Sequence, residues 1–496
     1  MGRSRPQTKR PRVDNIEQVT NPKADYSPRP VELEYEMTWS RELRPTNPDL
    51  SGTIRFEIPN DMKGVLIDLG QTQFETDVNI LKDRTSSDPS ERYPTKSDLS
   101  WYMVNNIHHT MWKHVDVKVA GTAVTENSKD YHYKAYIDTL LSTTDAAASV
   151  FGYRTGWVLD DHKHMDWHAP DRGQAVQNKS SEDYVDADSF AAATKENVPS
   201  KRNRWWFDKP DGTLGSYHSV IFRDKIKTQP FQQSKLCPWG FPIDVEFERN
   251  DKRFIFMMNA GDDKMALEVK KMCLWITYVR LVPEVFERLR ANRQQKMITM
   301  PITRSVMIRK ELPMHVTEFQ DDSIFGGRKI PTNVIFVFQT QKAFSGAWNL
   351  NPFNFENIGI NHLYLLRNNQ QIPMQPFEPI WSEMKCSREL DEFYHATGFL
   401  FKNVDPQINR YMWMNDGFHI WALDLTPDRK PRSDVERVTT TGSLGWRFKT
   451  ADVPGKRGSG GSATFDAMYM LVFCQYREAL QFLPDMSMQP TWYIIG

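Results

Sequence analysis

Four cysteines in 496 residues, Cys237, Cys273, Cys386 and Cys474, are too few and too scattered for a disulfide framework or a zinc finger. No CxxC pair occurs, so reduced and buried thiols are expected. Long apolar runs are also missing: mean hydropathy is -0.60, and no stretch approaches the roughly 18 residues of a membrane span. The basic amino-terminus lacks the apolar segment of a signal peptide. Pro6 stands where N-myristoylation needs Ser or Thr. No sign of charge dominates, with 63 Lys+Arg against 63 Asp+Glu. A chain that coats nucleic acid along its length would be clearly basic, so any such contact must be local. The expectation is a soluble intracellular protein of two to three domains.

Catalytic signatures are absent as well. There is no Gly-x-Ser-x-Gly elbow, Walker loop or Rossmann fingerprint, and Gly455-Lys456 lacks the preceding Gly at Walker spacing. No catalytic residue and no cofactor is predicted. The densest ligand-type run is Asp160-Asp161-His162-Lys163-His164-Met165-Asp166-Trp167-His168. Three histidines and three acids are zinc-type donors, but Lys163 lies among them and no HExxH spacing exists, so a solvated loop is the preferred reading and no metal is assigned. His108-His109 and His114 read as buried or interface histidines. Asn178-Lys179-Ser180 is a formal glycosylation sequon in a chain with no sign of secretion.

What is present is aromatic and β-rich. Aromatics make up 12% of the chain, including 15 Trp and 28 Phe, enough to supply large buried surfaces and subunit contacts. Residues 1–27 are polar, with Pro and Lys/Arg and no periodicity, which reads as a flexible arm. Arg3, Arg5, Lys9, Arg10 and Arg12 precede the first acid, Asp14, and read as a nuclear-import signal or a contact to interior DNA. Apolar alternation then marks strands at Val31–Met37, Ile54–Ile58, Val115–Val119, Ile243–Phe247 and Leu267–Leu281. A helix interrupts them, with Tyr133, Tyr136, Ile137, Leu140 and Leu141 forming one apolar stripe. Pro283–Arg293 reads as a linker helix, with Pro in the first turn and Arg288, Arg290 and Arg293 towards its end.

The β series then restarts at Ser305–Leu312, Val334–Gln339, His362–Leu366, Phe418–Leu425, Leu444–Phe448 and Met468–Tyr476. Again one helix intervenes, with Ser387 as N-cap and Leu390, Phe393 and Tyr394 on one face. Two β series, each with one inserted helix, predict a structural duplication. Residues 157–215, 427–441 and 452–464, the last containing Gly458–Ser462, read as long surface loops.

Four segments carry a resemblance. They are Phe344–Asn357 with Asn361–Pro373, Tyr131–Ser142, Gly417–Asp428 and Met468–Tyr476. In order and spacing they resemble the major capsid protein of Polinton/Maverick elements and adintovirus-like double-stranded DNA viruses. The resemblance runs from about Val31 to Phe482. It implies an all-β fold of two tandem eight-stranded jelly rolls with a few inserted short helices and long loops. The division expected is an arm at 1–27, a first roll at 28–282 with a long surface insertion, a linker helix at 283–300, a second roll at 301–484 and a tail at 485–496. It also implies homotrimers of pseudo-hexagonal outline that tile an icosahedral shell, with penton and minor capsid proteins as partners. The virion, and the host nucleus during assembly, are the expected locations. The region from about Pro170 to Lys235 fits no family pattern and is expected to form a surface tower, so deleting 171–203 is expected to leave trimers intact.

Two other functions stay open from sequence. One is a β-sandwich carbohydrate-binding protein or glycoside hydrolase, with Trp205-Trp206 as stacking platform and Asp160-Asp161 as acids. The other is a host-domesticated, transposon-derived protein that keeps the fold without building particles.

Overall fold

The computed structural model describes residues 35–82, 93–94, 101–125, 129–160, 165–166, 202, 204–207, 217–258, 265–323, 329–401, 406–426, 429, 441–457 and 464–491. Within them the chain builds the same eight-stranded topology twice. The first set is β1 (Tyr35–Leu43), β2 (Ile54–Ile58), β3 (Val65–Lys82), β4 (Trp112–Val119), β5 (Thr122–Ala123), β6 (Val220–Lys225), β7 (Ile243–Arg249) and β8 (Met265–Leu281). These form two antiparallel sheets ordered β1-β8-β3-β6 and β2-β7-β4-β5.

The second set is β9 (Ile298–Glu311), β10 (Glu318–Asp321), β11 (Asn333–Thr340), β12 (Ile360–Arg367), β13 (Gln370–Phe377), β14 (Ile420–Asp424), β15 (Leu444–Thr450) and β16 (Met468–Phe482). Its sheets run β9-β16-β11-β14 and β10-β15-β12-β13, and the short strand Met488–Pro490 pairs with the end of β16. In both sets the first strand lies beside the eighth, the second beside the seventh, the third beside the sixth and the fourth beside the fifth. That wrapping defines a jelly roll, so the predicted double jelly roll is what the chain forms.

Local chemistry explains the repetition. In each roll the fourth and fifth strands are joined by two residues at positive φ, Ala120-Gly121 (49° and 78°) and Asn368-Asn369 (50° and 63°). Two such residues make the mirror-image turn whose twist matches an antiparallel hairpin. The inward faces alternate as a sandwich requires: Ile54, Phe56 and Ile58 are buried while Arg55 and Glu57 are exposed. One apolar cluster fills the first roll. Another fills the second, where Val334, Phe336, Trp421, Val472, Leu363 and Phe448 meet between the sheets. All four cysteines are buried free thiols. Burial pushes the Cys237 thiol up to about 12, a setting for packing rather than reactivity.

Helices occupy the joints. α1 (Ile107–Thr110) and α2 (Tyr131–Ser142) belong to the first roll, α3 (Pro283–Gln295) links the rolls, and α4 (Ser387–Thr397) and α5 (Arg410–Met414) precede β14. Pro283 starts α3 as expected, and Phe286 buries against Trp239 with ring centroids 6.0 Å apart. Arg288 and Arg290 of α3 are exposed. The cap of α4 is Cys386, without a side-chain hydrogen bond. Ser387 is its first residue rather than its cap, so the helix begins one position earlier than expected.

Several strands differ from the sequence expectation. β1 runs to Leu43 and is mostly exposed rather than half-buried, because it is an edge strand, while Val31 and Leu33 lie outside the described residues. β3, the longest strand, escapes apolar alternation because its buried face carries Thr72 and Thr76 among Phe74, Val78 and Ile80. β13 contains Pro373 and Pro376, tolerated because it is also an edge.

Candidate functional site

Each of the four segments that carry the family resemblance sends side chains to one place, the seam between the rolls, although Leu363 and Leu365 of the first lie in the second roll's own core. A third apolar cluster contains Tyr133, Tyr136, Ile137, Leu140 and Leu141 of α2, Phe353 and Phe355 of the β11–β12 connection, Phe418 and Ile420 at β14, and Leu471 and Phe473 of β16. The outer face of the β9-β16-β11-β14 sheet is therefore covered by a helix from the other roll. Nine of the twelve α2 residues are buried. α2 is docked, and it is buried beyond its one apolar stripe because α1 and β4 pack on one side and the second roll on the other.

Rings set the geometry. Phe353 stacks on Tyr136 at 3.9 Å and 2°, and meets Tyr133 and Phe254 edge-on at 5.6 and 5.7 Å. Tyr133 stacks on Phe344 at 5.5 Å and 4°. Such offset and edge contacts add to the burial of area. The turn at Asn351-Pro352 holds Phe353 in place: Asn351 Oδ1 accepts from Phe353 N at 2.9 Å, and Asp166 Oδ1 accepts from Asn351 N at 2.9 Å. Phe355 and Gly417 pair through the backbone, with Gly417 N donating to Phe355 O at 2.8 Å. Across the seam, Gln339 Nε2 donates to Tyr133 Oη at 2.8 Å, and Trp157 Nε1 donates to Gln407 Oε1 at 2.9 Å.

The two seam tyrosines make a test. Burial raises both phenols, so each stays neutral. Tyr136 Oη has no hydrogen-bond partner among the described residues. Tyr136→Phe should leave stability unchanged or raise it by about 1 kcal/mol, whereas Tyr133→Phe strips Gln339 of its acceptor and should cost about 1–3 kcal/mol. Denaturant midpoints of the two variants decide, and equal shifts would contradict this account of the seam.

The other candidate residues separate. Of the metal-type run, only Asp160, Met165 and Asp166 are described. Asp160 is buried in an ion pair with Arg202, and Asp166 accepts from Asn351 N and Asn354 Nδ2. Both acids are already engaged, and among the described residues no three His, Cys, Asp or Glu converge as ligands. Asp161, His162, Lys163, His164 and His168 lie outside the described residues, as do Asn178–Ser180 and the arm residues Arg3, Arg5, Lys9, Arg10 and Arg12.

The Trp205-Trp206 platform is overturned. Trp206 is fully buried and Trp205 packs edge-on against Phe222 at 6.5 Å, so no paired aromatic face is open to a sugar. The 157–215 segment is not all surface loop either: Trp157, Met165, Arg202, Trp206 and Phe207 are core residues.

His108 and His109 are fully buried on α1. His108 stacks on Phe74 at 3.9 Å, and His109 bridges Tyr131 Oη at 2.9 Å and Asp224 Oδ2 at 3.1 Å. Burial lowers both imidazoles. His114 is half-buried beside Asp116 and Glu248 and is lowered by burial as well.

Fold and seam together define a double jelly-roll protein. No protein-family model matches the chain. A chain in the cryo-EM structure of the Sputnik virophage has TM-score 0.60 and 12% identity, over 97% of this chain and 94% of that one. A chain of the PBCV-1 virus capsid has TM-score 0.52 and 11% identity, over 93% and 98%. An uncharacterized protein of Caenorhabditis elegans is 20% identical over 384 residues, 76% of this chain and 82% of its own length. No helix among the described residues is long and apolar enough to cross a membrane.

Proposed function

We propose that this chain is a viral major capsid protein, forming pseudo-hexameric homotrimers that tile an icosahedral shell around double-stranded DNA. The observation that carries this is the end-to-end likeness of both rolls, in order, to chains from the Sputnik particle and the PBCV-1 capsid. A lone chain also leaves large apolar side chains bare. Val150, Phe151, Tyr153 and Ile221 are each 56–62% exposed, as expected of surfaces covered in an assembly. The chain acts by assembly rather than catalysis, in the virion, with penton and minor capsid proteins as further partners.

Light scattering on a sizing column should give about three times 57.9 kDa (3 × 57.9 = 173.7 kDa), with hexagonal outlines in negative stain. A monomer at every concentration would remove the reading.

The arm residues Arg3, Arg5, Lys9, Arg10 and Arg12 serve nuclear import or interior genome contact. With Lys9→Ala, Arg10→Ala and Arg12→Ala together, nuclear accumulation should fall if import is their role. Unchanged accumulation with poorer DNA retention would assign them to the genome.

The nematode relative favours one second reading, a host-resident copy that keeps the fold without building particles. Closed shells from the expressed chain would exclude it.

A further inference from the structure

The β11–β12, β13–β14 and β15–β16 connections meet at one end of the second roll around an open groove of about 610 Å3. Ile380, Trp381 and Ser382 line it together with Asn361, Asn415 and Asp416. Its composition combines a broad apolar ring with amides, a hydroxyl and one carboxylate.

We propose that this groove binds a neutral saccharide. A sugar presents an apolar C–H face and a rim of hydroxyls that both donate and accept. Half-exposed Trp381 supplies the flat apolar surface. It is held rigid: its Nε1 donates to Ile360 O at 2.7 Å, and its ring lies 5.6 Å from Trp413 and 5.2 Å from His419, both fully buried. A preformed wall of this kind spares the ordering cost of binding.

The polar rim matches hydroxyls. Asn361 and Ser382 are exposed, and their side chains have no hydrogen-bond partner among the described residues. Asn415 is oriented by donating from Nδ2 to Tyr411 O at 2.6 Å. Asp416 is fixed by accepting at Oδ1 from Asn357 N at 2.8 Å. Amides offer donors and acceptors and a carboxylate offers acceptors, the set a polyol needs.

Charge narrows the class. Asp416 is the one charged residue among the groove's lining, and Arg457, which lines the adjoining pocket with it, is already paired with Glu356 and Asp466. Phosphorylated, sulfated or sialylated ligands would meet a carboxylate without a counter-charge. The site lies within one chain and does not rest on the capsid reading, since an isolated monomer would carry it equally.

Saturation-transfer NMR and calorimetry test it on the full chain with methyl β-galactoside, methyl α-mannoside and N,N′-diacetylchitobiose, against sialyllactose and choline. At least one neutral sugar should bind with a dissociation constant on the order of millimolar. Asn361→Ala with Ser382→Ala should weaken it at least tenfold without changing the melting temperature, because both side chains are exposed. Binding of none of the neutral sugars, of sialyllactose or choline alone, or undiminished binding by the double variant would each overturn the proposal.

Discussion

Replacing Arg202 by Met is expected to destabilise the first roll by about 3–5 kcal/mol. Arg202 is 1% exposed and donates from Nη1 to Met103 O at 2.6 Å, while its other terminal nitrogen pairs with Asp160 Oδ1. Asp160 also accepts at Oδ2 from Asn105 Nδ2 at 3.2 Å, which ties the pair to the turn before α1. Burial lowers Arg202 to about 9, so at neutral pH the guanidinium keeps its charge. Removing it leaves a carboxylate in the interior with no counter-charge. A paired change, Arg202→Met with Asp160→Asn, removes both charges and should recover most of the loss. The denaturant midpoint of the first unfolding transition reports both. If the single variant melts like the parent, the ion pair has no structural role.

Arg202 also shows where sequence reading stops. The 157–215 stretch is polar and aperiodic, which describes its composition but not its anchors, since an isolated Arg in a charged run looks like any solvated residue. Nothing in one sequence pairs Arg202 with Asp160, 42 positions away. The deletion of 171–203 that would test a surface tower must therefore stop short of Arg202. Other parts were legible for physical reasons. Where one sheet face is apolar and the other polar, as in Ile54–Ile58 and Ile243–Arg249, period-two alternation locates the strand. It fails at β3, whose inner face uses threonine, and at β6, where Phe222 is the one fully buried residue. The seam was half legible. The stripe on α2 and the Phe353/Phe355 pair were both visible as apolar faces, but that they face each other is a long-range fact. The saccharide groove left no local signal, because three separate connections build it.

Acidification from pH 7.5 to 5 is expected to cost more than the rolls' sheet packing alone explains, because the seam and the second roll hold buried histidines that must stay neutral. Burial lowers His132 to about 3 and His419 to about 4, from 6.5. His419 is locked as one tautomer: Nδ1 donates to Trp413 O at 2.7 Å, and Nε2 accepts from Trp421 Nε1 at 2.9 Å. A proton on Nε2 would set two N–H groups against each other. His132 lies edge-on to Phe254 at 4.4 Å, and the charge acting on it, Lys113, opposes protonation. Both folded values lie below the unfolded one, so the unfolded chain binds more protons. Stability from this source is whole above about pH 6.5 and falls as pH drops towards 4 and then 3. Each histidine contributes about 1.4 kcal/mol per pH unit in that window, or about 2 kcal/mol at pH 5. Lowered His108 and His109 add in the same direction. Glu356, Glu389 and Asp424, raised by burial, work the other way as they take up protons, so the measured slope is smaller than the sum. The variant His132→Phe with His419→Gln keeps neutral groups in both places and should flatten the profile by about 2.7 kcal/mol per pH unit. Hydrogen exchange should then show α2 and the β11–β12 connection opening first in the parent at pH 5. An unchanged slope in the variant would place the acid sensitivity elsewhere. His132 sits on α2, so a proton there strains the joint between the rolls, whereas His419 bonds to Trp413 and to Trp421 of the second sandwich, so a proton there strains that roll from within.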